Sequence, residues 1–341
     1  MTLTTLPAPD HQPLRGGPVL RWGVVAPGHI AGEFVRSLNR STDQKVVAVA
    51  SRSVERAQQF ATEHGIATAY ATYEQLLADS GVDIVYIAAP HSEHASLAHT
   101  AIAAGKHVLI EKPIATRVAE ARAIADAAAD AGVFAMEALW SRYLPQATVI
   151  ARLLADGSLG EPRFVEANFG FLAEFDPRGR LFDPALAGGA LLDLGVYSAW
   201  FAHFVLGAPT AVQAVGSLAV TGVDQQSALT LTYESDALAV VSSSLIVDTP
   251  TAARIDGTAA RLVFPTNFIG QSEFQVLPKG GEPLEWRDTT GLRWSEGLCF
   301  QAVAAARYVS DGLRQSPLHS LDDSIAVLSV LDQARAQLGA R

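Results

Sequence analysis

Gly105-Lys106-His107-Val108-Leu109-Ile110-Glu111-Lys112-Pro113 decides how the chain is read. His107 to Ile110 is the short apolar run of a strand buried on both faces, and it passes straight into Glu-Lys-Pro. In open α/β sheets, ligands collect outside the carboxyl ends of the strands. Lys112 is expected at that edge, with Pro113 fixing its own φ and forcing an extended exit. An ammonium held there stabilises an oxygen whose charge changes during reaction. Taken alone, Lys-Pro reads as an exposed lysine that ends an ordinary strand. The rest of the chain supplies the chemistry.

Working outward, the same grammar repeats. Strands are expected at Leu20–Val25, Lys45–Ala50, Asp83–Ala89, His107–Ile110 and Val133–Glu137. Helices are expected at Ala31–Leu38, Val54–His64, Thr72–Asp79, Glu93–Ala104 and Ala115–Ala131. Strand–helix alternation at this spacing predicts parallel βαβ units in a doubly wound sheet. After a helix from Pro145 to about Asp156 the pattern changes. Phe164–Phe171, Ala211–Val220, Ala228–Tyr233, Ala237–Ile246 and Ala253–Phe264 read as longer strands, many alternating apolar and polar residues, with Phe274–Pro278 and Pro283–Trp286 as edges. Helices Glu296–Leu313 and Asp322–Leu338 close the chain. The expected class is therefore α/β: an N-terminal Rossmann domain over residues 19–145, then an α+β domain over 146–341 with a large, open, mostly antiparallel sheet. Residues 1–18, with four prolines, are expected to form a loose arm. An open sheet face needs covering, which points to homo-oligomerisation through it.

Composition excludes several classes. The 341 residues are 49% apolar and 18% charged, with a net charge of −10. The pI is about 5.3 and the mean hydropathy +0.20. Such a chain is globular, and its charge disfavours nucleic-acid or anionic-membrane binding. The one cysteine, Cys299, lies in an apolar pattern and reads as a core residue. With no apolar leader, a cytoplasmic location is expected. Ala185–Leu206 is long and apolar, but Asp193 near its middle argues against a membrane span.

Ala26-Pro27-Gly28-His29-Ile30-Ala31 occupies the place of the dinucleotide fingerprint G-x-G-x-x-G/A, with Ala26 departing from glycine at the first position. Gly28 lets a backbone approach a pyrophosphate, and the helix start around His29 and Ile30 supplies N–H groups. The second strand ends in Ser51-Arg52-Ser53 with no acid until Glu55. A carboxylate there would repel a 2′-phosphate, whereas a guanidinium and hydroxyls bind one, so NADP is expected ahead of NAD. Ala89, Pro90, His91 and His94 after the third strand, with Glu111 and Lys112 after the fourth, are expected on the cofactor. The histidines are not expected to hold a metal, because Glu93 is the only acid among them.

These residues resemble the Gfo/Idh/MocA oxidoreductase family. The likeness runs through Ala89-Pro90-x-x-x-His94, Ala104–Pro113, Glu137–Pro145 and Gly188–Tyr197, and covers residues 20 to 338. Trp140-Ser141-Arg142 and Asp193-x-x-x-Tyr197 look most like the branch holding dimeric dihydrodiol dehydrogenases, NADP-dependent xylose dehydrogenases and glucose–fructose oxidoreductase. The resemblance implies an NAD(P)-binding Rossmann domain, an open-sheet second domain through which a homodimer or homotetramer packs, and hydride transfer on sugars and other polyols. It maps the family's lysine to Lys112 and its substrate-domain pair to Asp193 and Tyr197.

Asp193 and Tyr197 are four apart on an apolar helix, where a carboxylate and a phenol are costly unless they face a polar cavity. The expected chemistry takes a carbinol against the nicotinamide. Tyr197 is the favoured acid/base, Lys112 lowers its pKa and steadies the alkoxide, and Asp193 fixes the lysine or a substrate hydroxyl. Lys112 as proton carrier remains open. Trp140 and Arg142 are expected in the substrate wall, and the Phe175–Pro184 loop offers Asp176 and Arg180 to substrate. Two other readings stand beside this one. One is an oxidoreductase that keeps its nucleotide and cycles two substrates. The other is a silent NADP(H)-sensing protein.

Overall fold

Short, doubly buried strands build the first unit. The computed structural model describes residues 3–341. Within it, residues 11–143 and 293–325 form one compact unit, and residues 3–10, 144–292 and 326–341 another. In the first unit the chain runs β1 (Arg21–Val25), α1 (His29–Ser41), β2 (Lys45–Ala50), α2 (Val54–His64), β3 (Thr68–Tyr70), α3 (Tyr73–Leu77), β4 (Ile84–Ile87), α4 (His94–Ala103), β5 (His107–Glu111), α5 (Val118–Ala131) and β6 (Ala135–Ala138). The six strands are parallel, in the order β3-β2-β1-β4-β5-β6. That is the doubly wound dinucleotide-binding order, with its switch point beside β1. Trp22, Val24, Phe34, Ile84, Tyr86 and Leu109 are fully buried around it. Strand β3, only three residues long, was not anticipated from the sequence.

The second unit starts with α6 (Pro145–Ala155), whose first residue is the proline that suits an N1 position. It continues with β7 (Pro162–Gly170), a π turn at Leu191–Gly195, α7 (Val196–Leu206), β8 (Ala211–Leu218), β9 (Asp224–Thr232), β10 (Leu238–Ser244), β11 (Ala253–Gly257), β12 (Ala260–Phe264), β13 (Glu273–Pro278) and β14 (Leu284–Arg287). The eight strands lie in the order β14-β13-β12-β11-β7-β10-β9-β8. Only β7 and β10 pair in parallel; the remaining pairs are antiparallel. One face carries Val165, Ala167, Leu229, Leu231, Ala239, Val241 and Ile255, all buried, and α7 lies across it. The other face exposes Val215 at 71%, Leu238 at 41% and Val240 at 36%.

The run expected as one strand from Ala253 to Phe264 is a hairpin. The carbonyl of Leu159 receives the N–H groups of Ala259 and Ala260, at 3.0 and 3.2 Å, and stands 2.0 Å from where a Cβ of Gly257 would be. A continuous strand would run into it, so the chain turns at Thr258-Ala259.

The chain ends with α8 (Leu298–Ser310) and α9 (Leu321–Leu338). Residues 293–325 differ from the expectation that everything after 146 folds as one domain. Ser37 on α1 donates to Glu296 O at 2.6 Å and accepts from Cys299 N at 2.9 Å, which ties α8 to the first unit. The arm also differs from the expected loose segment. Asp10 N bonds Thr148 Oγ1 at 2.8 Å, and Arg152 reaches Ala8 O and Asp10 Oδ2 at 3.0 and 2.9 Å. Gly16 N bonds Asp43 at 2.8 Å. The arm's Met1 and Thr2 fall outside the described residues. Pro184–Leu206 has the length and hydropathy of a membrane span, at 1.3, yet 78% of that window is buried within the protein.

Candidate active site

The strand register brings the cofactor candidates of the first unit to one edge. Ala50, Val25, Ile87, Ile110 and Glu137 stand side by side across β2, β1, β4, β5 and β6. Ser51, Ala26 and Lys112 therefore leave the sheet at its carboxyl edge. From β2 to β5 is three strand spacings, roughly 14 Å, the reach of an extended dinucleotide.

Ala26 resolves the departure from the glycine fingerprint. It holds φ of 62° and donates to Ala50 O at 3.2 Å, so an alanine makes the left-handed turn where glycine would be cheaper. Gly28 then caps α1. Among the described residues no side chain caps this helix and no acid lies in its first turn. The first helical bond is Gly32 N to Gly28 O at 3.1 Å. The N–H groups of His29, Ile30 and Ala31 thus lack intrahelical partners and favour an anion. Gly28 itself has φ −118°, open to any residue, and a Cβ there would find only Ala26 O, at 4.0 Å. Nothing in the protein's own packing asks for glycine; the close approach of a phosphate does. The residues fit a dinucleotide pyrophosphate on this ground.

Helix α2 starts differently. Ser53 accepts from Arg56 N at 3.3 Å and donates to Glu55 at 2.7 Å, while the Ser51 hydroxyl accepts from Ser53 N at 3.3 Å. Arg52 is 73% exposed and pairs with Glu93 at 3.1 Å. A cavity of about 270 Å³ opens beside this corner, lined by Pro27, Gly28, His29, Arg36, Arg56 and His64 among others. Sequence reading missed Arg56. Its signal was present: it falls in the first turn of α2, three residues after the Ser53 cap.

Lys112, half-buried, directly follows β5, and its bond to Pro113 is cis rather than a simple extended exit. Two buried side chains hold the backbone just beyond it. His94 is fully buried, with Nδ1 2.8 Å from Pro113 O and Nε2 2.9 Å from Ala89 O. Its expected contact with cofactor is therefore corrected. Both ring nitrogens face backbone carbonyls, and since burial pushes its pKa below the ordinary value the neutral ring donates to one of the two. Glu137 accepts from Ile114 N at 2.8 Å and from His319 Nε2 at 3.1 Å. Burial, the largest single influence, pushes the Glu137 carboxyl up, but the contacts with His319, Ser324 and the Ile114 N–H together outweigh it and hold the pKa below the usual range. Neither Glu137 nor His319 was assigned a role from sequence.

Glu111 is 7% exposed and accepts the Tyr86 hydroxyl. Burial raises its pKa to about 7, against the pull of Tyr86 and Lys112. Its carboxyl is directed inward to Tyr86. His91 is half-buried, its ring 5.7 Å from that of His94, and Ala89 and Pro90 complete the same corner. Trp140 and Arg142 occupy a 3₁₀ turn at Trp140–Tyr143 and are 7% and 8% exposed. Arg142 Nε donates to Leu318 O at 3.0 Å, so this guanidinium clasps its own unit rather than forming an open substrate wall.

In the second unit, Gly188-Gly189 leads into the π turn that carries Asp193. Such turns are rare and frequent at functional sites. The helix expected from Gly188 thus opens as a π turn before α7 takes over at Val196 and carries Tyr197. Tyr197 is 6% exposed, with its ring 5.9 Å from that of Phe169. Arg180 reaches Asp193 Oδ1 at 3.0 Å, which brings together two residues expected on substrate. Asp176 is exposed, and its carboxylate accepts from Arg178 N at 3.0 Å to shape the turn before Arg180. A buried acid and a phenol on one helical run, with an arginine from the loop before it, can orient hydroxyls and exchange a proton.

Known proteins bear on this arrangement. Residues 20–139 match the GFO/IDH/MocA oxidoreductase family with an NAD-binding Rossmann fold, and residues 148–263 match the GFO/IDH/MocA C-terminal domain. The trans-1,2-dihydrobenzene-1,2-diol dehydrogenase of Xenopus tropicalis is 34% identical over 94% of this chain and 98% of its own length. An aldose–aldose oxidoreductase from Caulobacter crescentus superposes with a TM-score of 0.82 at 26% identity, covering 94% of this chain and 97% of that one. A 3-ketoreductase from Actinomadura kijaniata, in complex with NADP and TDP-benzene, gives a TM-score of 0.79 at 26% identity over 93% and 97%.

Proposed function

The chain belongs to the Gfo/Idh/MocA oxidoreductase family, and from that premise we propose that it transfers a hydride between NADP and a carbinol carbon of a small polyol, a cyclic trans-diol or an aldose. The observation that carries the reading is the carboxyl edge of the first unit: an uncapped helix start at Gly28, flanked by Ser51-Arg52 on one side and Lys112 on the other. The diol dehydrogenase relatives support the choice of substrate class.

Bound NADP⁺ supplies the hydride acceptor. The N–H groups of His29, Ile30 and Ala31 hold the pyrophosphate. Arg56 and Arg52 take a 2′-phosphate, Arg52 exchanging Glu93 for it. Tyr197, as its phenolate, accepts on Oη the proton of the substrate hydroxyl and becomes the phenol. The Lys112 ammonium stabilises the oxygen as its charge grows. Asp193, steadied by Arg180, accepts a hydrogen bond from a second hydroxyl and fixes which carbinol reacts. Pairing of copies through the exposed face of the eight-stranded sheet belongs to the same proposal, as does a cytoplasmic location.

Nicotinamide absorbance, followed with a panel of trans-dihydrodiols, aldoses and inositols and with NADP⁺ and NAD⁺ in parallel, tests it. Turnover with NADP⁺ on a diol or aldose is the expected result; no turnover on any member would contradict it. The likeness to the aldose–aldose oxidoreductase supports a second form of the same chemistry, in which nucleotide stays bound and two aldoses are cycled. Stoichiometric nucleotide in the purified protein would select that form.

A further inference from the structure

A buried carboxylate that this chemistry does not use stands beneath the helix that carries it. Asp224, the first residue of β9, is 1% exposed. Its Oδ2 accepts the N–H of Leu191, the first residue of the π turn, at 2.7 Å. A helical run beginning at Leu191 and ending at Leu206 presents the positive end of its dipole there, so a carboxylate at that end stabilises it. The fit is tight. Gly189 has φ +118°, and a Cβ on it would lie 2.3 Å from Asp224 Oδ1. Gly195, at the end of the same turn, would set a Cβ 3.2 Å from the Ser243 hydroxyl. Gly189 N is pinned from the other side by Leu181 O at 2.9 Å, and Asp193 N bonds Gly189 O at 3.3 Å.

We infer that Asp224 is a positioning residue. By fixing the Leu191 N–H and demanding glycine at 189, it sets where the π turn begins and hence where Asp193 and Tyr197 project. Burial raises its pKa to about 6, with the N–H groups of Leu191 and Ala190 and the charge of Arg335 opposing. A carboxylate kept in a site that disfavours its charge is consistent with a specific task rather than general stability. The inference rests on the proposed hydride transfer for its kinetic readout.

Asp224→Ala and Asp224→Asn are compared with the unmodified protein for kcat, KM, NADPH affinity and Tm, together with amide hydrogen exchange over residues 189–197. In Asp224→Ala, kcat is expected to fall at least thirtyfold, roughly 2 kcal/mol of transition-state stabilisation, while NADPH Kd stays within about twofold. Exchange is expected to rise in the 189–197 segment and stay unchanged in β10. Asparagine keeps an acceptor for Leu191 N–H, so Asp224→Asn is expected to recover kcat to within about threefold. A folded Asp224→Ala with unchanged kcat would overturn the inference. So would equal losses in both variants that merely track Tm, or exchange that rises evenly across the unit. If Asp224→Ala does not fold, Asp224→Asn with intact kcat and 189–197 protection upholds the inference, and loss of both overturns it. If the unmodified protein turns over no polyol, the function reading fails, and the exchange pattern alone decides on Asp224.

Discussion

Arg180 Nη1 lies 3.0 Å from Asp193 Oδ1, with the arginine 62% exposed and the aspartate only 8%. The acid that looked costly on an apolar helix therefore receives a counter-charge from its own unit, thirteen residues upstream. A pair this exposed on one side adds little stability, under about 1 kcal/mol. Its worth lies in aiming the carboxylate. Arg180→Ala is expected to leave Tm nearly unchanged and to raise KM for the polyol about tenfold, equivalent to about 1.4 kcal/mol. Steady-state kinetics beside a thermal melt check both halves.

Gly28 offers a cleaner separation of folding from binding. Its backbone suits any residue, and an added Cβ meets open space. Gly28→Val is expected to fold with a Tm near that of the unmodified protein, yet to weaken nucleotide binding by a factor of ten or more as side-chain atoms occupy the phosphate's place. Calorimetric titration with NADPH reads the loss directly. A large fall in Tm would instead show that the glycine serves the protein's own packing.

The corner at β2 makes a prediction about nucleotide choice. Arg52→Ala and Arg56→Ala are each expected to weaken NADPH binding about tenfold to a hundredfold, the worth of a charge-assisted hydrogen bond to phosphate, and to leave NADH binding unchanged. Equal effects on both nucleotides would assign these guanidinium groups to something other than the 2′-phosphate.

Glu111 makes stability depend on pH. Its folded pKa, raised to about 7 by burial, exceeds the unfolded value of about 4.3. The folded state then holds the proton more tightly than the unfolded chain. The contribution to stability is fully present below about pH 4 and is lost as pH climbs through 7. The loss amounts to roughly 2–4 kcal/mol at pH 8. Glu111→Gln removes it. The Tm advantage of that variant over the unmodified protein, measured without nucleotide, is expected to widen between pH 5 and pH 8.

Much of this was legible because the relevant signals are local. Apolar runs ending in turn residues marked β1, β2, β4, β5 and β6, and the order of strands and helices gave the doubly wound sheet. Strand β3 escaped because Thr68-Ala69-Tyr70 is too short to carry a period. The β11–β12 hairpin escaped because its cause is the carbonyl of Leu159, almost a hundred residues upstream in the chain. Gly28 was named from spacing and type, and Lys112, Asp193 and Tyr197 from spacing and type together with the family resemblance. What supports them was not. His94 reads as a polar residue at a strand end until its ring is seen enclosed between two carbonyls. Glu137 depends on His319, 182 residues away, and Asp224 on Leu191. Partners that only the fold brings together leave no periodicity to read. Ala26 is the converse case: sequence marked it as a departure, and its φ of 62° shows the turn made without glycine.

Lys112 is the residue on which the proposed chemistry turns. Single-turnover hydride transfer by Lys112→Ala, with NADP⁺ prebound and saturating trans-diol, measures its part in the chemical step. A rate at least a thousandfold below that of the unmodified protein is expected, about 4 kcal/mol of lost stabilisation, with NADPH affinity held within about threefold. A rate within tenfold of the unmodified protein at full nucleotide occupancy would contradict the role given to this amine.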